Sequence, residues 1–247
     1  MGKYQTIYGL HSVRAALLNK KRINDELIVT ENHKILGKKY QYKIKKIKIL
    51  KPQDFKKNYG GENTTQGIVL KTQELERPSI VDFVKKEEIE KKSVILVLDQ
   101  ITDPHNIGAI MRSCALFNCR GIIVSKDNAP DLTPSLLKAA SGAAEIVNYF
   151  KVTNIKRCLS ELKKFGYWIY GFDSSKYANS NLSYAKKSVL VFGSEGKGIR
   201  ELVKKQCDEI LKLNTKSNAE FQIDSLNVSN ATAIALYEFY KKEVWLL

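Results

Sequence analysis

The sequence predicts an α/β protein whose C-terminal part is a mostly parallel sheet covered by helices on both faces. Three observations carry that prediction. Continuous apolar runs recur ("SVILVLD", "GIIVS", "SVLVFG" and "EILKLN"), as expected of strands buried on both sides. Helical patterns lie between them, at residues 107–117, 134–144, 155–165, 199–205 and 228–241. Ahead of them, the first seventy residues alternate shorter helical and extended segments.

Taken in order, "YGLHSVRAALLNK" sets Leu10, Val13, Ala16 and Leu17 at helical spacing, with Arg14 and Lys20 off the stripe. "DELIVT" reads as a short strand. "KIKKIKIL" reads as a second, with lysines outward and isoleucines inward, and "QGIVLKT" as a third. "NYGGENTTQG" is rich in turn formers. Residues 73–92, charged in both signs and interrupted by Pro78, read as a linker with one or two helical turns. The expected organisation is therefore an α/β unit at 1–72, a linker at 73–92 and a second domain at 93–247. The last helix, "VSNATAIALYEFYKK", is apolar on more than one face. Ala231, Ala235, Leu236 and Phe239 lie on one side, with Ile234, Tyr237 and Tyr240 on another. Such a helix is covered twice, by the chain itself or by a second copy.

The chain has 247 residues and a formal charge of +15, unevenly placed. Residues 1–71 carry 16 Lys and Arg against 5 Asp and Glu, whereas residues 93–247 carry 20 against 15. A basic front end on a nearly balanced body suggests a grip on a polyanion, RNA or DNA. Cys114, Cys119, Cys158 and Cys207 form no C-x-x-C pair and have no zinc spacing with histidine, so no metal site is expected and free thiols in a reducing compartment are. His11, His33 and His105 are dispersed. No secretory h-region and no apolar run of membrane-spanning length is present, so the expected location is the cytoplasm.

Three stretches at strand-to-loop junctions hold the candidate chemistry. In "DPHNIGAIMRS", Ile107, Ile110, Met111 and Cys114, followed by Phe117, form one stripe. Arg112 lies almost opposite it. A solvated arginine, with Asn106 as a simple N-cap, would account for these residues taken alone. "VLVFGSEGKGIREL" is a glycine loop between a strand and a helix. Its G-x-x-G-x-G order is neither a P-loop nor a dinucleotide fingerprint, and Glu195 inside it would repel phosphate. "DSLNVSNATAIALYE" gathers Ser225, Asn227 and Ser229 at a helix start, where capping alone is a sufficient role.

Together and in this order, "DPHNIGAIMRS", "LVFGSEGKGI" and "SLNVSNATAIALYE" closely resemble the three signature motifs of the SpoU (TrmH-type) RNA ribose 2'-O-methyltransferases. The front part, with "YGLHSVRAALLN" and "TQGIVLKT", is similar to the basic, L30e-like N-terminal domain of the branch that modifies a 23S rRNA guanosine. The resemblance spans nearly the whole chain. It implies an L30e-like RNA-binding domain followed by a SPOUT-type parallel sheet with a deep trefoil knot. It also implies S-adenosylmethionine as cofactor, a homodimer, and ribose 2'-hydroxyl methylation of structured RNA. By position, Gly193, Leu213 and Leu226 match the residues lining the cofactor pocket, and Asn106, Arg112, Glu195, Ser225 and Asn227 match the polar active-site set. The arginine matching Arg112 has been proposed as a base in related enzymes. Arginine stays protonated in proteins, which favours a role in holding an RNA phosphate and polarising the hydroxyl. Asn106 and Asn227 are expected to orient the ribose and the loops, and Glu195 to fix the geometry of Asn or Arg.

The sequence departs from the pattern at Leu213-Asn214, where the family commonly has Ile-Pro. The following loop, 214–224, is longer and lacks the expected glycine. The competing readings are a tRNA ribose methyltransferase, a non-catalytic RNA-binding or ribosome-assembly protein on the same scaffold, and a small-molecule α/β enzyme. The joint presence of Asn106, Arg112, Glu195 and Asn227 argues against the binder. The basic front end and the missing P-loop argue against the small-molecule enzyme.

Overall fold

A computed structural model describes residues 4–87, 92–173, 178–179, 183–216 and 225–244. In chain order the elements are β1 (Tyr4–Tyr8), α1 (Leu10–Leu18), β2 (Asn24–Thr30), α2 (Lys34–Lys39), β3 (Ile44–Leu50), α3 (Pro52–Tyr59), α4 (Glu62–Thr65) and β4 (Ile68–Gln73). They continue with α5 (Ile80–Glu87), β5 (Ser93–Leu98), α6 (Pro104–Leu116), β6 (Gly121–Ser125), α7 (Pro134–Ala140), β7 (Asn148–Val152) and α8 (Ile155–Lys164). β8 (Trp168–Phe172), β9 (Lys187–Phe192), α9 (Glu201–Lys204), β10 (Glu209–Leu211) and α10 (Val228–Val244) complete the chain. Two compact units result: Met1–Arg77 with Asp131–Glu145, and Pro78–Pro130 with Ile146–Leu247.

The first unit holds a four-stranded sheet in the order β1-β4-β2-β3. It is antiparallel except for the β2-β3 pair. β3 lies at an edge, and its lysines suit that place, because charged edges resist further pairing. The expected placement of lysines outward and isoleucines inward breaks at Lys45-Lys46, so Ile44 and Ile47 fall on opposite faces and Ile49 is left 41% exposed. The segment 131–145 belongs to this unit. Thr133 caps α7 by accepting from the Leu136 amide, and Pro134 occupies the first turn. Gly142, at φ +95°, brings its backbone against Ala15 of α1, where any Cβ would sit 2.5 Å from the alanine methyl. Beside it Arg22 and Glu145 form a buried ion pair at 2.8 Å. The arginine also donates to Gln5 Oε1 and to the Gln73 carbonyl, and Asn19 donates to the same glutamate.

The second unit is a six-stranded, all-parallel sheet in the order β10-β8-β9-β5-β6-β7. β5 and β6 are buried along their whole length, as continuous apolar runs require. The segment read as linker contains α5, and its Phe83 and Val84 are buried with Phe150, Leu159 and Leu162 in the core of this unit. Three strands escape the sequence patterns: β1, β7 and β8. β7 is an edge strand whose apolar run is broken by Asn148 and Lys151. β8, "WIYGF", relies on aromatic strand propensity rather than an aliphatic run. No helix among the described residues is long and apolar enough to cross a membrane.

Candidate active site

Parallel strands gather their C-terminal ends at one edge of the sheet, and loops leaving those ends are where α/β proteins bind ligands. Here the loop after β5 starts α6, the loop after β9 is the glycine loop, and α10 begins at Val228. α6 is capped by Asp103, which accepts from the His105 amide at 2.9 Å, with Pro104 in the first turn. Asn106 is therefore not the N-cap. It sits inside the first turn, which frees its carboxamide for contacts outside the helix.

Those contacts bring the three signature stretches together. Asn227 Nδ2 donates to Asn106 Oδ1 at 3.1 Å and to Glu195 Oε1 at 2.7 Å. Glu195 Oε1 also accepts from the Val228 amide at 3.3 Å, so a side chain of the glycine loop serves the exposed N-terminus of α10. Asn227 Oδ1 accepts from the amide and hydroxyl of Ser229, at 2.9 and 2.6 Å. A pure capping role for 225–229 accounts for the Ser229 bonds but not for the two reaching α6 and the glycine loop.

Below this cluster lies a cavity of about 360 Å³. Gly193, Leu213, Ser225, Leu226 and Glu195 all line it. Its apolar floor holds Phe172 and Phe192, register partners at the ends of β8 and β9, whose rings stack 4.6 Å apart and within 7° of parallel. Asp173 and Lys212 add polar wall. Asp173 pairs with Lys204 at 2.7 Å, and that hydrogen bond raises the lysine above its ordinary pKa. Sequence reasoning missed Phe172 and Asp173 because β8 was missed. An aromatic strand ending in "GFD" was the available signal. Arg112 is not drawn into the cluster or the cavity lining. It is exposed, and among the described residues its side chain makes no hydrogen bond or ion pair. Residues 217–224, most of the long loop, lie outside the described residues.

Residues 93–237 match the SpoU rRNA Methylase family, and residues 6–78 match the RNA 2'-O ribose methyltransferase substrate-binding family. The chain belongs to the SpoU rRNA Methylase family. It is 33% identical over 251 residues to the 23S rRNA (guanosine-2'-O-)-methyltransferase RlmB of Coxiella burnetii, covering 98% of this chain and 97% of that protein. It is 37% identical over 179 residues to the putative TrmH family tRNA/rRNA methyltransferase YacO of Bacillus subtilis, covering 72% and 70%. In fold it is similar to the SpoU methyltransferase AviRb of Streptomyces viridochromogenes in complex with the cofactor AdoMet. The TM-score is 0.79 at 16% identity, over 98% of this chain and 91% of that one.

Within this SpoU family chain the glycine loop is shaped by its own backbone. Gly198 N donates to Ser194 O at 2.8 Å, folding the loop back on itself. A Cβ on Gly193 would sit 2.0 Å from the Gly198 carbonyl carbon and 2.2 Å from Ile199 N. Gly193 is thus required for close backbone approach as well as for lining the cavity.

Proposed function

We propose that the protein methylates a ribose 2'-hydroxyl of RNA, a guanosine of 23S rRNA, with S-adenosylmethionine as the methyl donor. The carrying observation is the Asn227 carboxamide, which bridges Asn106 and Glu195 beside the cavity. The names of the full-length relatives support the substrate. The cavity suits the cofactor: its volume is in the range of small-molecule sites, its stacked phenylalanines offer a surface for a flat base, and its rim is polar. Gly193, Leu213, Leu226 and Ser225 are the residues that would hold it. When bound, S-adenosylmethionine supplies an electrophilic methyl group on its sulfonium.

The hydrogen-bond network assigns the orientation of both amides. Asn106 Oδ1 accepts from Asn227, so Asn106 Nδ2 is the group left to donate to the ribose oxygen while the hydroxyl proton passes to solvent and negative charge builds on the attacking oxygen. Glu195 Oε1 is occupied by Asn227 and the Val228 amide, and this holds the whole arrangement in place. Arg112 grips an RNA phosphate beside the reacting ribose. The basic unit at the front binds the structured RNA.

The same reading includes the threaded topology of the family. Asp173 N donates to Leu211 O on one edge of β10, while Asn179 N donates to Ile210 O and Lys212 N to Asn179 O on the other. Both ends of the 173–179 connection thus flank the strand. It also includes a cytoplasmic homodimer built on the outer face of α6 and α10, where Leu116 is 75%, Ile234 42% and Tyr237 48% exposed. Light scattering should give twice the monomer mass, and Ile234→Lys should return it to monomer.

The deciding experiment is transfer from radiolabelled S-adenosylmethionine to total RNA of a strain lacking the gene, with the label mapped by nuclease digestion and mass spectrometry. A single 2'-O-methylguanosine in the large rRNA is expected. Label in tRNA would move the substrate, and no label on any RNA would favour a non-catalytic binder. Arg112→Ala should lower turnover by about 100-fold or more while cofactor affinity is kept.

A further inference from the structure

Asp99, the residue after β5, has no solvent exposure at all. A buried carboxylate needs a partner, and its desolvation is tolerated only when its oxygens are engaged. Its partner is Arg200, the residue that ends the glycine loop. Arg200 N donates to Oδ2 at 2.9 Å, Nε to Oδ1 at 2.9 Å, and Nη2 lies 2.6 Å from Oδ1. Asp99 thus receives backbone amide and guanidinium from one residue. Its own amide donates to Phe192 O at 2.8 Å, at the start of the same loop. Both ends of the loop 193–200 are therefore fastened to the one residue that follows β5.

Asp99 also begins the other catalytic loop. Gln100 follows in the left-handed region, at φ +63°, where a side chain is strained, and the chain then runs to the Asp103 cap and Asn106. A closed circuit results. Asp99 leads along its chain to Asn106 and through Arg200 to the loop of Glu195, and Asn227 closes the gap between the two. We propose that Asp99 and Arg200 are a positioning pair that sets the spacing of Asn106 and Glu195, and with it the alignment of the ribose hydroxyl. Neither residue lines the cavity or joins the Asn106–Glu195–Asn227 cluster, so they act through the loops. Lysine in place of Arg200 retains the charge but not the planar fork that engages both oxygens.

The catalytic half of this proposal rests on the methyltransferase reading; the mechanical half does not. The test uses the full chain with Arg200→Lys and Asp99→Asn, Arg200 being half exposed so that its replacement opens no core. Without any ligand, amide hydrogen exchange over 193–200 should quicken at least tenfold in both variants, while β5 and β9 stay protected. With S-adenosylmethionine and RNA, kcat should fall by about 100-fold in Asp99→Asn and less in Arg200→Lys. The RNA dissociation constant should stay within twofold in both. The double variant should be no worse than Asp99→Asn alone, as expected of two residues working as one unit. Unchanged exchange in Arg200→Lys overturns the clamp. Faster exchange with kcat within twofold of wild type overturns its positioning role. A wild-type protein that methylates no RNA refutes the enzymatic reading, and the exchange measurement then still decides the clamp.

Discussion

Asn227 uses every hydrogen-bonding group its carboxamide has: two donors, to Asn106 and Glu195, and two lone pairs, toward the amide and hydroxyl of Ser229. No rotation of the amide keeps all four bonds, so the side chain has one orientation. Asn227→Asp removes both donors and sets a second carboxylate against Glu195, where Asn227→Ala only removes the bridge. The aspartate variant should therefore be the poorer enzyme, with kcat down by about 100-fold or more in a single-turnover assay. Equal activity of the two variants would mean that the bridge does not set the geometry. The residue types at 106, 195 and 227 were legible in the sequence. Their mutual bonds were not, because 32 residues separate Asn227 from Glu195 and 121 separate it from Asn106.

At the scale of elements, burial patterns explain both what was read from the sequence and what was missed. α6 shows the periodic stripe expected, with Ile107, Ile110, Met111 and Cys114 fully buried. β8 was missed since its signal is aromatic, and with it went Phe172 and Asp173 of the cavity. The glycine loop gives the sharpest prediction at this scale. Gly193→Ala has nowhere to place its methyl, because the obstacle is the backbone of Gly198 and Ile199 rather than a movable side chain. Opening the loop should cost about 1–3 kcal/mol in chemical denaturation and abolish cofactor binding in calorimetry. A stable variant that binds the cofactor normally would contradict the loop's close-packed backbone.

For the whole molecule, the chain visits its first unit twice, and the second visit is held by the buried Arg22–Glu145 pair. Glu145→Ala leaves a guanidinium with no counter-charge where its side chain is 1% exposed, and should cost about 3–5 kcal/mol in denaturant unfolding. A loss under 1 kcal/mol would show that water reaches the arginine. Ionisation gives a second global prediction. Burial raises Cys158 to about 11 and Cys207 to about 12, from an ordinary 9.0. The unfolded thiols ionise near pH 9 while the folded ones stay protonated, so the stabilisation is complete below pH 9 and is lost as pH rises toward 11 and 12. Denaturation midpoints should accordingly fall between pH 9 and 11, and less so in Cys158→Ala. At pH 8 the buried Cys114 and Cys119 should react with thiol reagents only as the protein unfolds.

The α/β class, the basic front, the three signature stretches and their family are all legible in the residues alone. All of these are local patterns of period, charge and residue type, which the chain carries wherever it folds. Only the folded chain shows that residues 131–145 complete the first unit and that Asp99 and Arg200 fasten the glycine loop. Each depends on which distant groups meet. A buried polar atom must find a partner, and only the folded backbone determines which residue, 101 positions away for Asp99 and Arg200, is there to provide it.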